Sequence, residues 1–163
     1  MEAGFAIASE GDFEAVKEVS KLAKNTIVCS LARSNKDDIA KANEALSFAE
    51  RFRIHTFIAT SELHMKYKLQ MTREKVIQQI KDSVSYARNF TDDVEWSAED
   101  GSRSDFDFLC KCIDVAIKSG AKTINIPDTV GYCMPLEYQD IFKKIRNNID
   151  NIEDITLSVH CHN

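Results

Sequence analysis

The sequence predicts an α/β fold of parallel βα units and, within that class, a partial (β/α)8 TIM barrel. Three observations point there. Short apolar, β-branched runs alternate with amphipathic helical stretches at a period of about 30 residues. Two strand candidates carry one apolar and one polar face: Val94, Trp96 and Ala98 alternate with Asp93, Glu95, Ser97 and Glu99, and Ile155, Leu157, Val159 and Cys161 with Thr156, Ser158, His160 and His162. A strand inside a doubly wound sheet is apolar on both faces, whereas polar faces towards the C-terminal strand ends suit a barrel mouth. Finally, 163 residues with 44% apolar and 29% charged side chains, 5 Gly and 2 Pro are an ordinary globular composition, which excludes disordered, collagenous and low-complexity chains.

The elements follow in order. A strand stub, EAGF, precedes a helix over 12–24. TIVCSLA (26–32) is a buried strand, and Ile39, Ala42, Leu46 and Ala49 give a helix over 35–51 its apolar stripe. HTFIAT (55–60) is the next strand, with His55 at its start as a structural residue, and a helix over 72–89 presents Val76, Ile80, Val84 and Ala87. After the strand DVEWSA (93–98), Ser104 and Asp107 form a capping box for a helix that stops at Gly120. TINI (123–126) is a strand, Pro135 opens the next helix, and ITLSVHC (155–161) is the last strand. A barrel needs eight strands and about 250 residues. Five strands and a stub are therefore read as a single incomplete barrel domain over 1–163, from about the end of strand 2 to strand 7, lacking the first and last strands. With two sheet edges open, such a piece is expected to be inactive alone and prone to aggregate.

A net charge of −5 without a Lys/Arg cluster argues against nucleic acid. No run approaches the ~18 apolar residues of a membrane span, and no signal peptide opens the chain. Five scattered cysteines fit a reducing compartment, so a cytoplasmic, soluble protein is expected.

His160 and His162, two apart on a strand, project from one face and can chelate a divalent metal; two ordinary hydrogen-bonded histidines have the same spacing. Spacing compels no third ligand, although Glu95 and Glu99 are the nearby inward carboxylates and Asn163 is adjacent on the opposite face. Glu95, Ser97 and Glu99 form a polar strand end suited to substrate binding or acid/base work, or simply to solvation. Thr123, Asn125, Pro127 and Thr129 share a face, and His64 lies in a loop after the 55–60 strand, either a site residue or a surface one. Cys110 and Cys112 point about 200° apart on their helix, so they are core residues and not a metal pair. Glycine-rich phosphate loops are absent from the sequence.

These residues fall in segments that resemble a known family. EAGFAIASEGDFEAV, HTFIATSELHMKYKL, YARNFTDDVEWSAEDGSRSD, TINIPDTVGY and SVHCHN, in this order, resemble the 2-isopropylmalate synthases over essentially the whole chain. That family belongs to a group of metal-dependent TIM barrels with homocitrate synthase, citramalate synthase and 3-hydroxy-3-methylglutaryl-CoA lyase. The resemblance implies a Claisen condensation of acetyl-CoA with the 2-oxo acid 3-methyl-2-oxobutanoate, giving 2-isopropylmalate and CoA in leucine biosynthesis. It implies His160 and His162 as ligands of a divalent cation (Mg²⁺, Mn²⁺ or Zn²⁺), with a third, an aspartate beside a catalytic arginine, on a strand this chain lacks. Glu99 is implied as catalytic, and His64, Ser97, Asn125, Pro127 and Thr129 as lining the keto-acid pocket. A homodimer or higher homo-oligomer is the implied assembly. Ala6 stands where the family commonly has proline and Gly101 where alanine is commoner; both are expected to change loop stiffness only.

Overall fold

In the computed structural model, which describes residues 1–150 and 152–162, each helix starts where a side chain or a proline can satisfy or spare its free backbone N–H groups. Ser9 caps α1 (Glu10–Leu22), Asn35 caps α2 (Lys36–Leu46), Thr72 caps α4 (Arg73–Ala87) and Asp105 caps α5 (Phe106–Lys118), each accepting an N–H three residues on. At α6 (Pro135–Asn148), Pro135 occupies the first turn and the Glu137 carboxylate accepts the Met134 N–H at 3.0 Å. Ser104, expected to cap α5, instead donates to the Asp100 carbonyl and meets Thr60 at 2.6 Å. The residue after it takes the capping role because its carboxylate reaches the Phe108 N–H.

Six strands, β1 (Glu2–Gly4), β2 (Val28–Arg33), β3 (Phe52–Ala59), β4 (Val94–Glu99), β5 (Thr123–Asp128) and β6 (Thr156–Cys161), pair in parallel in the order β1-β2-β3-β4-β5-β6. Parallel crossovers are right-handed, so an order that never reverses winds every helix onto the same face. A doubly wound sheet reverses direction and covers both faces. The result is a curled part of a TIM-barrel wall.

The outward strand face and the helices share one core. Val28, Ala32, Ile54, Val94, Trp96, Ala98, Ile124 and Ile126 are fully buried against Val16, Ile39, Ile80 and Ile113 of the helices. Each large aliphatic side chain buried in this layer contributes roughly 1.5–3 kcal/mol. On β6, Leu157 is half-buried and Val159 stands 61% exposed. Among the described residues, no helix is long and apolar enough to cross a membrane.

Three expectations are corrected. The 35–51 helix ends at Leu46, where Ser47 bonds back to the Glu44 carbonyl, although Ala49 still packs on the core. The loop expected around His64 is helical: α3 (Glu62–His64), capped by Ser61, runs into a π-helical turn over Met65–Leu69 that ends at left-handed Gln70. The third strand begins at Phe52, so His55 sits inside it and not at its start.

Candidate active site

The inward face of the sheet carries the polar residues, and strand register stacks them into rows. Phe57 pairs with Ser97, Ser97 with Asn125, and Asn125 with Ser158; one layer higher, Ala59 pairs with Glu99 and Pro127 with His160. Because parallel strands keep their side chains in step, residues two apart on each strand build successive layers towards the C-terminal strand ends. There a cleft of about 290 Å³ opens. Ser97, Glu99, Asn125, Pro127, Thr129, His160 and His162 all line it, and Leu31, His55 and Phe57 complete the wall.

His160 and His162 hold their rings with centroids 4.7 Å apart, exposed on the cleft side of β6. Asn163 lies outside the described residues. Glu99 is bound at 2.5 Å by Lys68, which the π-helical turn delivers to the rim. His64 does not line the cleft. Its Nδ1 lies 3.8 Å from Glu99 and 3.9 Å from Asp100, buried and without a hydrogen bond among the described residues. It therefore stands behind Glu99.

Asp100, directly after β4, lies in the left-handed region (φ 60°), which aspartate tolerates, with its side chain fully buried. Burial alone would raise its pKa, but hydrogen bonds from Arg103 and Ser61 outweigh that and hold the carboxyl below its usual value. Its backbone N–H donates to Thr129 Oγ1 at 2.9 Å. Since that oxygen is already accepting, the Thr129 proton is left to donate elsewhere.

Beneath the cleft runs a chain of contacts. Glu2 Oε2 lies 3.2 Å from His55 Nδ1, His55 Nε2 lies 2.5 Å from Ser97 Oγ, and Asn125 Nδ2 donates to Ser97 Oγ at 2.8 Å. Glu95, a candidate third ligand, is instead engaged by Arg53 at 2.9 Å, and Arg53 also holds Asp93. His55, expected from the sequence to be structural, faces the cleft. Parity is a partial signal here: Arg53 and His55 share one strand face and Ile54 and Ile58 the other, but Thr56 and Phe57 break the pattern.

Among the described residues, two side-chain groups could hold a cation. Glu2, Cys29 and His55 bring ligand atoms within 4.8 Å of one another. However, Glu2 already accepts from both partners, and burial, ahead of the nearby Glu2 charge, pushes the Cys29 thiol far above its ordinary range, away from the thiolate a metal needs. His160 and His162 present ring nitrogens on an open cleft with no hydrogen-bond partner among the described residues, a donor set that leaves positions for oxygen ligands. The cleft pair fits a divalent cation better.

Sequential parallel strands, helices on one face and a polar cleft at the C-terminal strand ends define a TIM-barrel class of protein. The chain belongs to the HMGL-like family, whose model matches residues 1–163. It is 57% identical over all 163 residues to a 2-isopropylmalate synthase of Bradyrhizobium sp. (strain ORS 278), and 57% identical over 162 residues (99% of the chain) to one of Rhodopseudomonas palustris (strain BisA53). The chain spans 31% of the length of each. Hydroxymethylglutaryl-CoA lyase from Pseudomonas aeruginosa has the same fold, with a TM-score of 0.75 at 15% identity over 98% of this chain and 54% of that one.

Proposed function

We propose that the chain is the central part of the catalytic barrel domain of a 2-isopropylmalate synthase. In this reading the full-length protein that carries it is a cytoplasmic homo-oligomer condensing acetyl-CoA with 3-methyl-2-oxobutanoate. The observation supporting the reading most is that seven of the eight residues implied by the family resemblance share one cleft in a chain 57% identical to such synthases.

His160 and His162 would hold a divalent cation, which would supply Lewis-acid polarisation of the 2-oxo group. Thr129, its oxygen taken by the Asp100 N–H, donates its proton to the substrate carboxylate. Leu31, Phe57 and Pro127 give the branched alkyl group an apolar wall. Glu99, fixed by Lys68, is the carboxylate beside the reacting carbon that can exchange a proton there, with His64 behind it. The methyl group of acetyl-CoA loses a proton, and its carbon bonds to the keto carbon, whose C=O electrons become an alkoxide that is then protonated. Water cleaves the thioester and CoA leaves as the thiol.

The test is thiol release by the full-length protein with acetyl-CoA, a divalent metal and a panel of 2-oxo acids. Preference for 3-methyl-2-oxobutanoate supports the reading. Preference for pyruvate or 2-oxoglutarate moves the assignment to a citramalate or homocitrate synthase, and no release with any of them overturns it.

A further inference from the structure

The chain of contacts under the cleft has a polarity that elementary hydrogen-bond chemistry fixes. An ionised carboxylate only accepts, and the His55 hydrogen bond, working against burial, holds Glu2 below its usual pKa. His55 Nδ1 must therefore be the protonated nitrogen, because it faces Glu2 at 3.2 Å. Nε2 faces Ser97 Oγ at 2.5 Å and Glu95 Oε1 only at 3.8 Å, so the hydrogen bond is to Ser97, and with the ring proton on Nδ1 it is Nε2 that accepts. Ser97 Oγ, 2.5 Å away, must supply the proton. With its only hydrogen committed to His55, Ser97 can meet Asn125 solely as an acceptor, which turns the Asn125 amide so that Nδ2 donates at 2.8 Å. Oδ1 of Asn125 is then left buried and without any partner among the described residues. An unmet buried acceptor is costly, so one beside a ligand cleft points to a donor arriving with the ligand.

We infer that Glu2 and His55 are positioning residues for the 2-oxo acid pocket. They fix the Ser97 hydroxyl and the Asn125 amide so that the cleft floor presents acceptors, and what is seated there is an ordered water that donates to Asn125 Oδ1 and to an oxygen of the 2-oxo acid, whose keto and carboxylate oxygens only accept. This rests on the proposed function for the identity of the ligand but not for the relay itself. Three of the four side chains are nearly buried, with His55 8%, Ser97 4% and Asn125 4% exposed, so their orientations are not averaged by solvent. Only Glu2, on the edge strand β1, has a half-exposed side chain, and its contact with His55 sets the direction for the rest.

The test has two arms on the full-length protein. Nitrogen-15 NMR of labelled histidines, with the His55 signals assigned by their loss in His55→Gln, reads the tautomer directly. The expected form has a proton on Nδ1 and none on Nε2; a protonated Nε2 at neutral pH overturns the relay. In kinetics, His55→Asn keeps a donor towards Glu2 but reaches no acceptor to Ser97. It should raise KM for the 2-oxo acid about tenfold, as expected when a buried hydrogen bond is broken and its partner left unmet. KM for acetyl-CoA should stay unchanged. His55→Gln, whose Oε1 can accept the Ser97 proton, should recover most of the loss. Equal losses in both variants, or equal rises in both KM values, would refute the positioning role. Absence of thiol release from the wild-type protein defeats the proposed function alone, since the NMR arm still reads the relay.

Discussion

The backbone N–H of Asp100 donates to Thr129 Oγ1 at 2.9 Å, joining the mouth of β4 to the mouth of β5. The contact holds the Thr129 hydroxyl at the mouth and leaves its proton unused by the wall, so that it can donate into the cleft. Thr129→Val removes that proton and leaves a buried N–H unmet. It should lower stability to urea by about 1–3 kcal/mol and raise KM for the 2-oxo acid, while Thr129→Ser keeps both near wild type. If Thr129→Val behaves like Thr129→Ser in both assays, the hydroxyl has neither role.

The two cleft histidines carry a prediction about metal. In the full-length protein, His160→Ala or His162→Ala should weaken Mn²⁺ binding in calorimetry by at least about 10²-fold, since even supporting groups around a metal typically contribute 10–100-fold. Cys161→Ser, on the opposite strand face, should bind as wild type. Equal affinity across the three variants would remove β6 from the metal site.

Asp38 predicts an acid-sensitive contribution to stability. Its carboxylate accepts three hydrogen bonds from Arg33, from the backbone N–H at 3.1 Å and the guanidinium at 2.7 and 3.0 Å, clamping the end of β2 to the start of α2. Burial raises its pKa, but the bonds from Arg33 and Asn35 outweigh this and hold it below 3.8. A folded pKa below the unfolded one means the stabilisation is present above the unfolded pKa and disappears as pH falls through the folded one. Asp38→Asn should therefore cost about 1–2 kcal/mol at neutral pH, kept modest because Arg33 is solvent-screened. The gap between variant and wild type in urea midpoint should close below about pH 4. A gap that persists unchanged into acid would contradict this.

Gly101 is a question of space and not of loop stiffness. It is buried, and a Cβ there would stand 3.0 Å from Ile126 Cγ2 and 3.4 Å from Ala98 Cβ. Ile126 sits fully buried on β5 with little room to yield. Gly101→Ala should cost about 1 kcal/mol by overpacking, and Gly101→Ala with Ile126→Val should recover part of it. A stabilising Gly101→Ala alone would show that β5 moves aside easily.

Much of this architecture is legible in the sequence because a barrel strand writes its two environments as a period of two. Trp96 and Ala98 against Glu95, Ser97 and Glu99 reveal which face meets helices and which meets the cleft. His55 escapes that logic because the mixed run Thr56, Phe57, Ile58 blurs the alternation, and its role depends on pairing across 42 residues to Ser97. The turn that carries Lys68 to Glu99 has five-residue spacing, which neither helical nor strand periodicity detects, although Ser61 three residues before His64 is a readable cap. The engagement of Glu95 by Arg53 is likewise tertiary, visible only once β3 and β4 are in register.

The most direct measurement is calorimetric binding of 3-methyl-2-oxobutanoate to the full-length protein, with Mn²⁺ and with a chelator, in wild type and in His160→Ala/His162→Ala. Binding is expected to need both the metal and the two histidines, and to prefer this 2-oxo acid to pyruvate. Binding of equal strength with chelator present, or in the double variant, would contradict this.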